Sequence, residues 1–217
     1  MSGEKEYLNA EEFEDALKAL DTEMSHDEWL VAFGPIRLIA AGGFLAVTFL
    51  QNRDSTADVD FLIDPEFERE KEIRQGLDNA IVSVALQQSY NRKWMNNDMA
   101  IFVSRPSRQS LFKKALEQNI TLFQGENLEI LAAPIEWALE RKLRRIYNGG
   151  RGRKAEMDMA DALAFLKYLR TRDNGPLVKE SVRTMNWNGF DVLPDSRTMQ
   201  LVAFEYRKKY SEQIFRS

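Results

Sequence analysis

From residue 36 to residue 133, short apolar runs bounded by glycine, proline, aspartate and asparagine alternate with stretches of helical period. From Pro134 onward only helical period remains. Runs too short for helices bury themselves as strands, and the periodic stretches between them cover the sheet. The expectation is therefore an α+β fold. A mixed sheet flanked by helices, with an N-terminal helix, occupies residues 1–133, and a helical domain occupies residues 134–217.

Local signals refine this. Asn9 can cap a first helix over 9–24, with Glu12 three residues on as capping-box partner and Phe13, Ala16, Leu17 and Leu20 on one face. A short helix over 26–33 stops at Gly34-Pro35. Strands are expected at 36–41, 59–63 and 99–103, and a hairpin at 120–123 and 128–131. Helices are expected at 44–50, 66–89 and 107–119, then at 134–147, 155–170 and 196–215. Trp94, Trp137 and Trp187 read as core rather than as base-stacking platforms.

Composition limits the chemistry. There is no cysteine, which excludes disulfides, thiolate metal sites and thiol catalysis. The single histidine, His26, excludes a multi-histidine metal site and reads as part of a turn. Chemistry must rest on carboxylates, Lys or Arg, hydroxyls or a bound metal. The 217 residues are 44% hydrophobic and 29% charged, with no apolar run of membrane-spanning length. The acidic start, MSGEKEYLNAEEFED, is unlike a signal or transit peptide, so a cytoplasmic protein with no membrane partner is expected. The net charge of −4 argues against general coating of nucleic acid.

Within this frame the stretch LIAAGGFLAVTFLQNRDSTADVDFLID, residues 38–64, stands out. Asp58 and Asp60 are i and i+2 on a strand, so they aim to one face while Val59, Phe61 and Ile63 aim to the other. Two like charges about 6–7 Å apart repel. A divalent cation relieves this, and Mg²⁺ suits one or two carboxylates plus substrate phosphates. Gly42-Gly43 ends the preceding strand with a helix just beyond, where main-chain N–H groups can approach a phosphate. Arg53, Ser55 and Thr56 add a cation and two hydroxyls to this triphosphate cradle.

GGFLAVTFLQNRDSTADVDFLI resembles the signature of the nucleotidyltransferase (polymerase β-like) fold superfamily. The variant is that of the AbiEii-like toxin nucleotidyltransferases. The resemblance implies that Gly42 and Gly43 contact the triphosphate, that Asp58 and Asp60 hold Mg²⁺, that Ser55 or Thr56 assists, and that a third carboxylate on a later strand completes the metal site. Glu129 is the first candidate for that ligand and Asp98 the other. LEILAAPIEWALERKLRRI and RGRKAEMDMADALAFL resemble later motifs, with Lys142 at a lysine position and Asp158 and Asp161 at acidic ones. The resemblance spans about residues 36–169. Three departures stand within it, the first being that the third carboxylate is not evident. Arg53 and Thr56 are three apart where the pattern has two, and Gly43 occupies the position of the usual serine.

The segment 141–154, RKLRRIYNGGRGRK, carries seven basic residues. It reads as a helix end matched to the helix dipole, as a neutraliser of triphosphate, or as the holder of an RNA or protein acceptor. The function these residues imply is Mg²⁺-dependent transfer of a nucleoside monophosphate from ATP or another nucleoside triphosphate to an RNA, protein or small-molecule acceptor. Asp58, Asp60 and Lys142 would be its catalytic groups, with Lys142 and Arg53 offsetting phosphate charge. The alternative is a nucleotide-binding or regulatory module of the same fold without catalysis. Transfer of the terminal phosphate to a protein hydroxyl is a third reading.

Overall fold

The structure, a computed structural model, describes residues 4–149 and 151–216. It divides into two compact units, Met1–Ala133 and Pro134–Ser217.

In the first unit α1 (Ala10–Met24) opens on the capping box. Asn9 Oδ1 accepts from the Glu12 N–H at 2.9 Å, and Glu12 Oε2 accepts from the Asn9 N–H at 3.0 Å. Asp27 caps α2 (Glu28–Phe33), accepting from the Trp29 and Leu30 N–H groups. There follow β1 (Ile36–Ala41), α3 (Gly43–Thr48), β2 (Val59–Ile63), α4 (Lys71–Gln88), β3 (Met95–Asn96), a 3₁₀ turn (Asp98–Phe102), α5 (Arg105–Gln118), β4 (Thr121–Gln124) and β5 (Leu128–Ala132).

The five strands form one mixed sheet in the order β3-β2-β1-β5-β4. Central β1 runs antiparallel to β2 and parallel to β5. On one face Leu38, Ala40, Val59, Phe61, Ile63 and Ile130 join a single buried cluster with Phe13, Leu17 and Leu20 of α1 and Leu77, Ile81 and Val84 of α4. The second face is dry at mid-strand too: Ile39, Leu62 and Leu131 lie side by side in register and are at most 2% exposed. A strand buried on both sides needs a near-continuous apolar sequence, which is what IRLIAA in β1 supplies. Polar residues can then sit only at the two ends of the second face.

One end is tied down by α1. Asp21 accepts from the N–H groups of Glu126, Asn127 and Leu128, at 3.1, 2.8 and 2.9 Å, in the β4–β5 turn. A Cβ on Gly125 would overlap that carboxylate.

The strand expected at 99–103 is instead the 3₁₀ turn. Ala100 N–H bonds to Asn97 O and Val103 N–H to Ala100 O, so local bonds replace a ladder. The strand beside β2 is the earlier two-residue β3, in which Met95 and Asn96 face Val59 and Asp60. Helix α4 starts at Lys71 rather than at residue 66, because Phe67 and Glu68 close turns on Asp64 and Pro65.

The second unit contains α6 (Ile135–Tyr147), α7 (Arg153–Arg172), β6 (Leu177–Val178), α8 (Lys179–Arg183), α9 (Ser196–Tyr210) and β7 (Phe215–Arg216). Its main packing is α6 on α7. It is not wholly helical, since β6 and β7 pair in parallel. Helix α9 ends at Tyr210, where Ser211 turns left-handed at φ 56°, short of the expected residue 215. Trp94 and Trp137 are 1% exposed, and Trp187 is half-buried. Among the described residues no helix is long and apolar enough to cross a membrane.

Candidate functional site

Strand β1 ends at Ala41, directly opposite Asp60 on β2. The chain turns there through Gly42, whose φ of +76° is open to glycine at little cost. Space is the stronger demand. A Cβ on Gly42 would lie 2.7 Å from Asp60 Oδ2. A Cβ on Gly43 would overlap the Thr56 hydroxyl, lie 2.8 Å from Thr56 Cβ and reach within 3.0 Å of Arg53 Nη1. The glycine pair is therefore in close contact with a carboxylate, a hydroxyl and a guanidinium drawn from the next twenty residues.

Asp58 joins from the position just before β2, and both Asp58 and Asp60 are half-buried while Val59 between them is fully buried. Asn96 of β3 donates from Nδ2 to Asp58 Oδ2 at 3.3 Å. Thr56 is 6% exposed and is pinned from the N-terminal side: Leu8 and Thr56 exchange both main-chain hydrogen bonds, at 2.9 and 3.0 Å. Leu8 is itself a core residue, and Lys5 ties the same segment to Ser89 and pairs with Glu12. Ser55 lies next to Thr56 and is half-buried.

Glu129 does not join this group. The β1–β5 register sets it against Arg37, and Arg37 Nε lies 2.6 Å from Glu129 Oε2. Asp64 stands 4.0 Å from Arg37 Nη1. Arg37 precedes Ala41 by four residues of strand, about 13 Å. The second face thus carries Asp58 and Asp60 at one end, an Arg37–Asp64–Glu129 cluster at the other, and apolar side chains between. Strand periodicity chose the right face for Glu129, but the register chose its height. Asp98 is exposed and paired with Lys93 at 3.0 Å. Among the described residues no group of three or more carboxylates and histidines is placed to hold a metal ion.

Lys142, expected in the catalytic set, sits inside the helical unit at 3% side-chain exposure. Its Nζ lies 2.9 Å from Asp158 Oδ1 and 2.7 Å from Asp161 Oδ2, and those side chains are 7% and 0% exposed. Arg145 adds a contact to Asp158 at 3.3 Å. Most of the basic segment's helical part is engaged in the same way. Arg144 lies 2.9 Å from the buried Glu140, and the Arg141 guanidinium stacks 5.2 Å over Trp137. Burial pushes the Glu140 carboxyl up, partly opposed by Arg144 and by the Trp187 and Asn188 N–H groups. Arg151, Arg153 and Lys154 are exposed, and Gly150 lies outside the described residues.

Two contributors escaped the sequence reading. Leu8 acts through its main chain, which leaves no side-chain pattern to find. Asn96 lay in the polar cluster MNND, where an edge strand of two residues has no periodicity.

The site can bring two carboxylates, a guanidinium, a hydroxyl and closely approachable main chain to one point, a donor set suited to a cation and a polyphosphate together. Among known proteins, no family model, no curated protein and no solved structure matches this chain.

Proposed function

We propose that the first unit binds a Mg²⁺-nucleoside triphosphate at the Gly42-Gly43 and Asp58-Asp60 corner, and that the bound nucleotide is used for nucleotidyl transfer. One observation carries the reading. The glycines read as phosphate contacts close directly onto Asp60, Thr56 and Arg53, the groups read as metal and phosphate partners. These residues are separate in sequence, and they converge at the β1–α3 turn.

The donor set fits Mg²⁺. Two carboxylates on one face supply enough protein ligand for an ion that keeps waters and substrate oxygens as the rest. Bound there by Asp58 and Asp60, the ion would neutralise phosphate charge and orient the reacting phosphoryl group. The chain's own contributions are more specific. Glycine at 42 and 43 lets Asp60, Thr56 and Arg53 close onto the main chain at this turn. Arg53 offsets the charge of the phosphate oxygens, the Thr56 hydroxyl donates or accepts beside them, and Asn96 holds Asp58. In the transfer, the oxygen of an acceptor hydroxyl would bond to the α-phosphorus and release its proton to solvent, while the α–β phosphoanhydride bond breaks and its electron pair leaves with pyrophosphate. On the second unit by itself, Arg151, Arg153 and Lys154 are exposed cations that would attract an RNA or acidic protein.

The pairing of Glu129 with Arg37 favours a second reading: nucleotide binding without transfer. Thermal-shift measurements with ATP, GTP, CTP and UTP, each with and without Mg²⁺, test the binding they share. Stabilisation should require metal and nucleotide together and should vanish in Asp58→Asn/Asp60→Asn. No stabilisation with any pair sinks both readings. Incubation with α-labelled and γ-labelled ATP then separates them: label transfer from the α position marks nucleotidyl transfer, from the γ position phosphotransfer, and from neither a binding module.

A further inference from the structure

We infer that the 3₁₀ turn Asp98–Phe102 carries the base-binding part of this site, with Ile101 and Phe102 as a stacking platform for the nucleobase. The inference rests on the nucleotide reading above and extends it to how the base is recognised.

Position comes first. The turn begins two residues after Asn96, which faces Asp60 in the β2–β3 register and donates to Asp58. The Asp98 N–H returns to Asn96 Oδ1 at 3.0 Å, and the turn packs against β2. It therefore lies beside the strand that carries Asp60 and directly follows Asp58.

Rigidity comes second. Met99 and Val103, 1% and 2% exposed, anchor the turn in the core. Arg108 on α5 donates from Nη2 to Ala100 O at 2.6 Å and pairs with Glu68. A segment fixed at both ends and at its middle nevertheless holds Ile101 at 74% and Phe102 at 59% exposure. Ile101 is the most exposed large hydrophobic side chain among the described residues. Scattered exposed apolar residues are ordinary, but two adjacent ones on a braced turn next to a polar site form a platform. Two other exposed aromatics of this unit, Trp29 and Phe33, are differently occupied. Trp29 and Phe33 stack on each other at 6.1 Å, Phe33 meets Phe67, and both precede β1 at the end opposite Ala41.

The chemistry that fits is a flat, apolar, polarisable ring attached to a phosphate chain. An aromatic ring and an aliphatic neighbour offer stacking and no hydrogen-bond readout, so purines and pyrimidines should both be accepted, purines more tightly through their larger face.

The test compares Mg²⁺-ATP and Mg²⁺-UTP with Mg²⁺-tripolyphosphate, which has the phosphates and no base. Calorimetric titration of the full chain should show ATP bound more tightly than tripolyphosphate. Ile101→Ser/Phe102→Ala should weaken ATP by roughly 5- to 100-fold, the range of one base–aromatic stack, and leave tripolyphosphate unchanged. Phe102→Trp should retain or exceed the wild-type affinity for ATP. Equal loss for both ligands, or loss for neither, overturns the platform alone. Wild-type protein that binds neither ligand overturns the nucleotide reading and this inference with it. Light scattering covers the other occupant: a dimer that becomes monomeric in Ile101→Ser/Phe102→Ala assigns the turn to a second copy of the chain and overturns base stacking.

Discussion

The chain carries two aspartate pairs, each spaced at the period of its own element, and the two units treat them in opposite ways. Asp158 and Asp161, three apart on α7, are sealed in the helical unit around Lys142, with Arg145 at the edge. Asp58, just before β2, and Asp60, within it, stay half-buried, and the Asp60 carboxylate closes onto the main chain of Gly42 while Thr56 and Arg53 close onto Gly43. A buried carboxylate pair demands a cation from the protein itself, which fixes it as structure. A half-buried pair at a sheet end, beside the Arg53 guanidinium and the glycine main chain, stays within reach of solvent and of ions from it. Spacing alone cannot distinguish the two; burial can.

Lys142→Met is the sharpest way to break this comparison. It leaves two buried carboxylates with their main counter-charge removed, and should cost about 3–5 kcal/mol in a urea titration. A loss below about 1 kcal/mol would falsify the structural assignment of that cluster. Gly43→Ala comes next. The new methyl meets Thr56 Cβ and Arg53, so stability should fall by about 1–3 kcal/mol, and Mg²⁺-dependent nucleotide stabilisation should disappear in the same protein. A variant as stable as wild type that still responds to nucleotide would show the close contact at Gly43 to be incidental.

Asp58→Asn/Asp60→Asn should change stability least of the three, by under about 1 kcal/mol, because it relieves repulsion while removing polar contacts. A cooperative loss as large as that of Lys142→Met would move this pair into the structural class. The smallest expected effect is a pH dependence at Glu140. Burial raises its folded pKa above the ordinary value of 4.5. The folded state therefore holds the proton more tightly, and this group's contribution is fully present below 4.5 and lost as pH rises through the raised value. The stability of wild type relative to Glu140→Gln should decline across that window; a difference flat with pH contradicts the assigned burial.

What the sequence made legible follows from how local each signal was. The Asn9–Glu12 capping box spans three residues and is realised atom for atom. The apolar runs of β1, β2 and β5 needed only their own composition to be read as strands of a mixed, helix-covered sheet. The glycine pair and the D-x-D motif lie within twenty residues, and their meeting at the β1–α3 turn follows from one strand and its antiparallel neighbour. Glu129 failed because its partner Arg37 is 92 residues away, and nothing near residue 129 records the β1–β5 register. Residues 98–102 failed because alternating Met99, Ile101 and Val103 imitate a strand. Two short main-chain bonds and the Arg108 contact to Ala100 decide for a turn. Lys142 was read by its charge, and charge does not report burial.

The bridge between Leu8 and Thr56 has a mechanical consequence. Its two hydrogen bonds lie side by side between the N-terminal segment and the loop that carries Arg53 and Thr56. Tension applied at the N-terminus reaches the bonds of Lys5 and Leu8 before it reaches α1 or any strand of the sheet. The first rupture under load would release the loop beside Gly43 while the core stayed intact, so the Gly42-Gly43 corner would lose its shape at forces the fold itself survives.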